Sequence, residues 1–146
     1  MARLPATLLA LVVLAAGCGG DDDEDGGGSP EPAAAATTSE DARVEGPDGA
    51  AIVKVTTELL DAKNGEDPCF AIVASDYAES LGGQEGCARK MGPIATGPLD
   101  TITAAGATGE DTGEAQVESS DGSEKRTIKF AKTVSGDWRI DGLTPP

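Results

Sequence analysis

The sequence predicts an α+β domain in which N-terminal helices pack on one face of an antiparallel sheet. Two observations support this prediction. Apolar residues recur at helical spacing across residues 48–91, whereas short alternating runs rich in threonine, valine and isoleucine begin near residue 99. A block of helices followed by a block of strands is typical of an α+β layout, because alternating α/β units would interleave them.

The chain has room for one hydrophobic core. We expect residues 1–17 to be a cleaved signal peptide, 18–47 a disordered acidic linker and 48–146 the folded domain. The linker consists largely of Gly, Pro, Ala, Thr and acidic residues, so it lacks the apolar side chains that folding requires. Only 3% of the residues are aromatic, which predicts a mainly aliphatic core.

The first predicted helix spans residues 48–63. Asp48 is suited to cap its N-terminus, and Asn64-Gly65 is a stop signal at its other end. Four apolar residues three or four positions apart fall on one face, which we expect to face the core: Ile52, Val55, Leu59 and Ala62.

Two further helices are predicted before the strands. Asp67-Pro68 combines a capping residue with a proline at the first helical position, and the helix that it starts runs to Gly82-Gly83. Ser75-Asp76 is a candidate restart within it. A third, short helix covers residues 85–91, and Pro93 is expected to end it.

Four strands are predicted, over residues 99–108, 114–120, 125–134 and 138–143. Tight-turn sequences, Asp121-Gly122 and Ser135-Gly136, separate the last three. Charged and apolar residues alternate along the last two strands, so one sheet face is expected to be buried and the other solvated. The predicted buried residues of these strands are Ile128, Phe130, Val134, Trp138 and Ile140.

The N-terminus resembles a bacterial lipoprotein signal. Arg3 precedes an apolar stretch, residues 4–16, that is shorter than the ~20 residues of a membrane-spanning helix. Small residues lead to Cys18, although Ala15 stands where lipoprotein signals usually have leucine. The resemblance implies lipidation of Cys18 and anchoring at the extracytoplasmic face of the cell membrane. The alternative is an ordinary secretory signal cut after an Ala-x-Ala-like site.

The other two cysteines are predicted to form a disulfide. The chain has three cysteines, and lipidation of Cys18 would leave Cys69 and Cys87 to pair in an oxidising compartment. The rival interpretation is a redox or metal-binding pair. Against it, the two cysteines lack Cys-x-x-Cys spacing, and the chain has no histidine that could complete a zinc site.

The charge of the chain excludes one class of partner. A net charge of −15 and a pI of about 4.1 argue against nucleic-acid binding, which needs a basic surface. The acidic run at residues 21–25, followed by Gly26, is similar to the start of a calcium-binding loop. Its twelfth position holds Pro32 instead of glutamate, so we interpret the run as a solvated spacer.

The order of elements resembles the nuclear transport factor 2-like superfamily, in particular its lumazine-binding-like branch found on bacterial lipoproteins. The resemblance covers residues 48–143 and depends on the first helix, the cysteine pair bracketing residues 75–81, and the terminal run Gly-Asp-Trp-Arg-Ile-Asp-Gly-Leu at 136–143. It implies a cone-like fold with a curved sheet, often with a cavity. The large side chains that would line such a cavity, or else fill the core, are Phe70, Tyr77, Met91, Phe130 and Trp138.

No catalytic residue, cofactor or metal site is predicted. Enzymes of this superfamily use an acid or histidine base with a tyrosine, but this chain has no histidine and only Tyr77. We therefore expect a non-enzymatic module that binds a small apolar ligand or an envelope protein. The alternatives are a small isomerase or hydratase-like enzyme, which a buried acid near Tyr77 would favour, and an envelope adaptor, which an exposed apolar patch would favour.

Overall fold

The computed structural model describes residues 35–144, and in this part of the chain four helices accompany a five-stranded mixed sheet. The predicted α+β class is confirmed. Cys18, the predicted signal peptide and the acidic run at 21–25 lie outside the described residues. The elements are β1 (Thr37–Val44), α1 (Gly46–Leu60), α2 (Glu66–Ala71), α3 (Ser75–Ser80), α4 (Gly83–Ala95), β2 (Leu99–Ala107), β3 (Thr112–Ser119), β4 (Lys125–Lys132) and β5 (Trp138–Leu143).

The sheet has the strand order β1-β2-β3-β4-β5. Strands β2 to β5 form an antiparallel meander at the predicted positions. Strand β1 corrects two predictions: it runs parallel to β2, so the sheet is mixed, and it lies inside the segment predicted to be disordered linker. The folded domain therefore begins near residue 37, and not at residue 48.

Strand β1 is an edge strand whose side chains are mostly exposed on both faces. It pairs Thr37 with Thr101 and Thr38 with Ile102, and after a bulge it pairs Arg43 with Ala104. An edge strand without a buried face needs no apolar alternation. For this reason the sequence pattern that identified the other strands is missing here.

Helix α1 begins with Gly46, whose φ of 64° turns the chain out of β1, and Pro47 follows in the first turn. Asp48 was predicted to cap this helix, but Glu45 occupies the cap position and no side chain caps the N-terminus. The helix ends at Leu60, before the predicted residue 63. Its predicted core face is confirmed, since Ile52 and Leu59 are fully buried. The two other residues of that face, Val55 and Ala62, pack half-buried against the core.

The second predicted helix is two short helices, α2 and α3, with the restart at Ser75. The prediction that Pro93 ends the third helix is wrong, because α4 continues to Ala95 and the Thr96 N–H donates to Gly92 O at 2.9 Å. A proline inside a helix removes one backbone hydrogen bond. Here the burial of Ile94 and Ala95 offsets that loss.

The core lies between the helices and one face of the sheet. In β3, buried Ala115 and Val117 alternate with Glu114 and Gln116, which confirms that the sheet is buried on one side only. The prediction that Val134 faces the core is wrong, because β4 ends at Lys132 and the Val134 side chain is fully exposed in the following turn. The largest side chains that are fully buried are Phe130, Ile52, Leu59, Met91, Ile102, Ile128 and Ile140.

Both predicted turns are present. Gly122 and Gly136 have φ values of 70° and 89°, which favour glycine. In the β3–β4 turn, Ser123 Oγ donates to Asp121 Oδ1 at 2.6 Å and Ser119 Oγ donates at 2.7 Å. Together with the Ser123 N–H, these donors lower the pKa of Asp121 to about 2.

The outer edge of β5 is partly covered by the segment after α2. The Ala74 N–H donates to Ile140 O at 2.8 Å, and the Ile140 N–H donates to Ile72 O at 2.9 Å. This short parallel pairing satisfies backbone groups that an edge strand would otherwise expose. It also holds the end of α2 beside the start of β5, where the candidate site lies.

Candidate functional site

An open depression of about 300 Å³ lies between α1 and the start of β5, and we call it the α1–β5 depression. Its volume is at the lower end of the range found for small-ligand sites. Polar groups, among them charges of both signs, make up the larger part of its lining, and apolar side chains from three elements contribute the rest. Its lining residues are Ala51, Lys54, Val55, Glu58, Ala71, Ile72, Gly136, Asp137, Trp138 and Arg139.

The indole of Trp138 anchors one wall of the depression and is itself only 4% exposed. Gly113 on β3 makes room for this arrangement. A Cβ atom there would come within 3.2 Å of Trp138 Cζ3 and 2.5 Å of Ile52 Cδ1. The glycine therefore allows the indole and the first helix to approach the sheet at the same point.

Asp48, Lys132 and Trp138 form a polar cluster next to the depression. Lys132 Nζ donates to Asp48 Oδ1 at 2.9 Å and Trp138 Nε1 donates to the same oxygen at 3.1 Å. Lys132 Nζ also lies 5.2 Å from the centroid of the indole, within cation–π range. The cluster ties the first turn of α1 to the adjacent ends of β4 and β5.

The electrostatics of the cluster favour an ionised Asp48. The hydrogen bond from Lys132, followed by that from Trp138, holds the pKa of Asp48 below its ordinary value, although partial burial opposes this effect. A carboxylate with a lowered pKa and two hydrogen bonds to one oxygen is a weak base. The arrangement therefore orients the indole and joins two layers.

The five predicted cavity-lining residues do not meet in one place. Met91 and Phe130 are 0% and 2% exposed, so they fill the core. Trp138 lines the α1–β5 depression, and Tyr77 packs half-buried against the core from α3. Phe70 lies on the surface with 75% of its side chain exposed.

Phe70 points outward because its neighbour Cys69 points inward. Helix α2 has only six residues, and the buried Cys69 is bonded to Cys87 on α4. The next residue along a helix points about 100° away, so Phe70 faces solvent. Its ring lies between two open surface depressions, one beside Asn64 and Arg89 and the other beside Arg139 and Asp141.

Tyr77 lies within the electrostatic influence of Asp141. Burial is the main cause that raises the pKa of Tyr77, and the charge of Asp141 raises it further. Asp141 itself is exposed to solvent. Among residues 35–144, the buried polar side chains are Thr56 and Ser119, neither of which is acidic.

The Cys69 and Cys87 sulfur atoms are 2.02 Å apart, at disulfide distance, and the two Cα atoms are separated by 6.0 Å. The pair joins α2 to α4, as the predicted helices required. Gly65 allows the close approach of these helices, because a Cβ there would overlap the backbone of Ala88 and Gly92. The covalent bond and the small residue therefore act at the same helix contact.

Among residues 35–144, no group of three potential ligands is arranged to hold a metal ion. In the same range, no helix is both long and apolar enough to cross a membrane.

The α1–β5 depression was not predicted from the sequence. Asp48 lies 84 positions from Lys132 and 90 from Trp138, so no local pattern connects them. The useful sequence signal was the inward-facing position of Trp138 next to a turn. It located one wall of the depression but could not identify the helix opposite.

Comparisons with known proteins leave the family of the chain undetermined: no protein-family model, no curated protein and no solved structure matches it.

Proposed function

We propose that this chain is a lipid-anchored extracytoplasmic protein whose domain binds a small ligand or a short peptide segment in the α1–β5 depression, without catalysing a reaction. In this proposal the lipid is carried by Cys18. We also propose that the domain is of the nuclear transport factor 2-like type. In this chain, as in that superfamily, helices pack on an antiparallel meander.

The lining of the α1–β5 depression carries the proposal. Val55, Ala71 and Ile72 provide apolar contact area, and the indole of Trp138 closes one side. Ligand sites combine such a lining with a few polar groups that fix orientation. Lys54 and Arg139 supply positive charge and Glu58 and Asp137 supply negative charge, which suits a zwitterionic ligand with an apolar part.

The cysteine pair supports the proposed compartment. Disulfides persist in exported proteins and are rare in the reducing cytosol. The Cys69 and Cys87 sulfur atoms lie at bonding distance, and Cys87 is fully buried. An exported protein with one further cysteine directly after a short apolar segment fits lipid anchoring through Cys18.

Trp138 provides a direct test because it is the chain's only tryptophan. Its fluorescence should change saturably when an apolar dipeptide such as valyl-leucine, or the apolar anion anilinonaphthalene sulfonate, fills the depression. The Val55→Lys variant should lose this response, since it places a long charged chain in the lining. Val53→Lys is the matched control, because Val53 is equally half-buried on α1 but lies outside the depression.

The result can also refute the proposed site. A full response in Val55→Lys would place binding elsewhere, and no response to either probe at millimolar concentration would contradict a small-ligand site. Anchoring is tested separately by metabolic labelling with radioactive palmitate. Label should enter the wild-type chain and be lost in Cys18→Ser, and an unlabelled wild-type chain would refute lipidation.

Phe70 favours a second candidate, an adaptor for another envelope protein. A phenylalanine ring that is 75% exposed is an unusual surface residue and a common contact in protein interfaces. If the adaptor role is correct, Phe70→Ser should abolish cross-linking to the partner in intact cells. The same variant should retain the Trp138 fluorescence response, which separates the two candidates.

A further inference from the structure

Strand β1 is attached to the rest of the domain mainly through one neighbouring strand. Among the described strands its partner in the sheet is β2, and the buried hydrophobic residues begin at Ile52, although Ala36, just before the strand, packs partly buried against that core. Its side chains are mostly exposed, so its attachment depends mainly on backbone pairing with β2. Such an element makes the same contacts whether the β2 that it meets belongs to its own chain or to another copy.

The connection from β1 to α1 has the form of a hinge. A single residue, Glu45, separates the strand from the helix, and it has an extended backbone with φ −106° and ψ 111°. Gly46 then makes the turn with φ 64°, and Pro47 stiffens the start of the helix. Glycine adopts positive or negative φ with little difference in energy, so opening the turn at Gly46 costs little backbone strain.

We propose that β1 exchanges between two copies of this chain, so that β1 of each copy pairs with β2 of the other. The exchanged dimer keeps the register of the monomer, including the pairs Thr38 with Ile102 and Arg43 with Ala104. Short hinge connections favour this type of exchange, because a short segment has few ways to fold back on its own chain, while every strand contact is regained in the dimer.

The exchange surface is the edge of β2, and its partner is a second copy of the same chain. In the closed form, the Glu45 N–H donates to Ala105 O at 3.0 Å, which continues the pairing beyond the strand end. The first bond of α1, from the Gly49 N–H to Glu45 O at 3.1 Å, is the contact that opening would break. The balance between monomer and dimer is therefore set locally, at residues 45–49.

Cysteine pairing between copies tests the exchange. Full-length Arg43→Cys and Ala104→Cys chains are produced together, so that a disulfide between the two positions must join two molecules. We expect a covalent dimer on non-reducing gels in several-fold excess over the pair Arg43→Cys with Thr127→Cys. Thr127 is a matched control because Ala104, Gln116 and Thr127 lie side by side on β2, β3 and β4.

A second measurement covers the case in which cysteine geometry prevents bonding. Sedimentation of the full chain in detergent should show a dimer fraction that rises with concentration. A short Gly-Ser insertion between Glu45 and Gly46 should lower that fraction several-fold, because a longer connection lets β1 fold back on its own β2 more easily. Equal covalent yield in the two cysteine pairs, or a monomer at every concentration, would overturn the proposal.

Discussion

The contact of α1 with the sheet and the contact of α2 with α4 are held together by different means. Helix α1 packs against the sheet through large buried side chains such as Ile52 and Leu59, and the Asp48 cluster fastens its first turn. Helix α2 has only six residues and packs on α4, where the close approach of Gly65 and the Cys69–Cys87 bond replace large side chains.

The difference shows how a chain with few aromatic residues supports two layers. A long helix buries a continuous apolar stripe, so it can be stabilised by packing alone. A helix of six residues is too short to bury such a stripe, and short helices are marginal in water. A covalent bond fixes α2 because it does not depend on buried area. The contact of α1 with the sheet and the contact of α2 with α4 should therefore respond to different perturbations.

The largest effect is expected at the contact between α1 and the sheet. Trp138→Ala should lower the free energy of unfolding by about 3–5 kcal/mol, because it leaves a cavity where the buried indole packs beside Gly113. Thermal or urea unfolding of the protein measures this loss. A loss below ~1 kcal/mol would show that the indole is dispensable and that side-chain packing does not dominate the contact of α1 with the sheet.

Reduction of the disulfide should have the next largest effect. The bonded cysteines are 18 positions apart, and a loop of this size contributes about 3 kcal/mol in the chain-entropy model. The melting temperature should fall by roughly 12–24 °C for a domain of this size. The Cys69→Ala/Cys87→Ala double variant should melt like the reduced protein and be insensitive to reductant. A reductant response in that variant would assign the effect to another cause.

A smaller effect is expected for Asp48→Asn, and it should depend on pH. The pKa of Asp48 is lowered in the folded protein by Lys132 and Trp138, so its contribution is present above the unfolded pKa of about 3.9. The contribution is lost as the pH falls through the lowered folded pKa. The variant should therefore melt below wild type at neutral pH, and the two melting temperatures should converge at strongly acidic pH.

Asp76→Asn provides the control for that prediction. Asp76 is an exposed acid on α3 and takes no part in the cluster. Its substitution should therefore lower the melting temperature at neutral pH less than Asp48→Asn does. A difference between Asp48→Asn and wild type that stayed constant down to acidic pH would assign the loss to steric effects and not to charge.

The smallest effect is expected at Phe70. Phe70→Ala should change the free energy of unfolding by less than about 0.5 kcal/mol, because exposed side chains contribute little to stability. Chemical denaturation compared with wild type checks this expectation. A loss above ~1 kcal/mol would mean that α2 also depends on side-chain packing. The contrast between the α1 contact and the α2 contact would then be weaker.

The parts of the fold that the sequence predicted are those with a buried face. The strands β2 to β5, the core face of α1 and the Cys69–Cys87 pair all followed from apolar spacing or from cysteine number. Strand β1 could not be found in this way, because its side chains are mostly exposed and its identity depends on backbone pairing with a strand about 60 positions later.

The candidate site was less predictable than the fold. The resemblance placed Phe70 among the side chains that line a cavity or fill the core, but it faces solvent because its neighbour Cys69 is buried and bonded to Cys87. The Asp48 to Lys132 contact links residues 84 positions apart, so only the folded chain shows it. Local patterns report which face of an element is buried, whereas a depression between α1 and β5 depends on the position of both elements.

The parallel pairing of β1 with β2 has a mechanical consequence. The Ala36 N–H donates to Asp61 Oδ1 at the C-terminal end of α1, so the chain reaches the domain at the sheet end opposite Lys132 and Trp138. A pulling force between the N-terminus and that far end acts along the axis of β1. Such a force loads the hydrogen bonds to β2 in shear, all together, and bonds loaded together resist rupture better than bonds that open one after another.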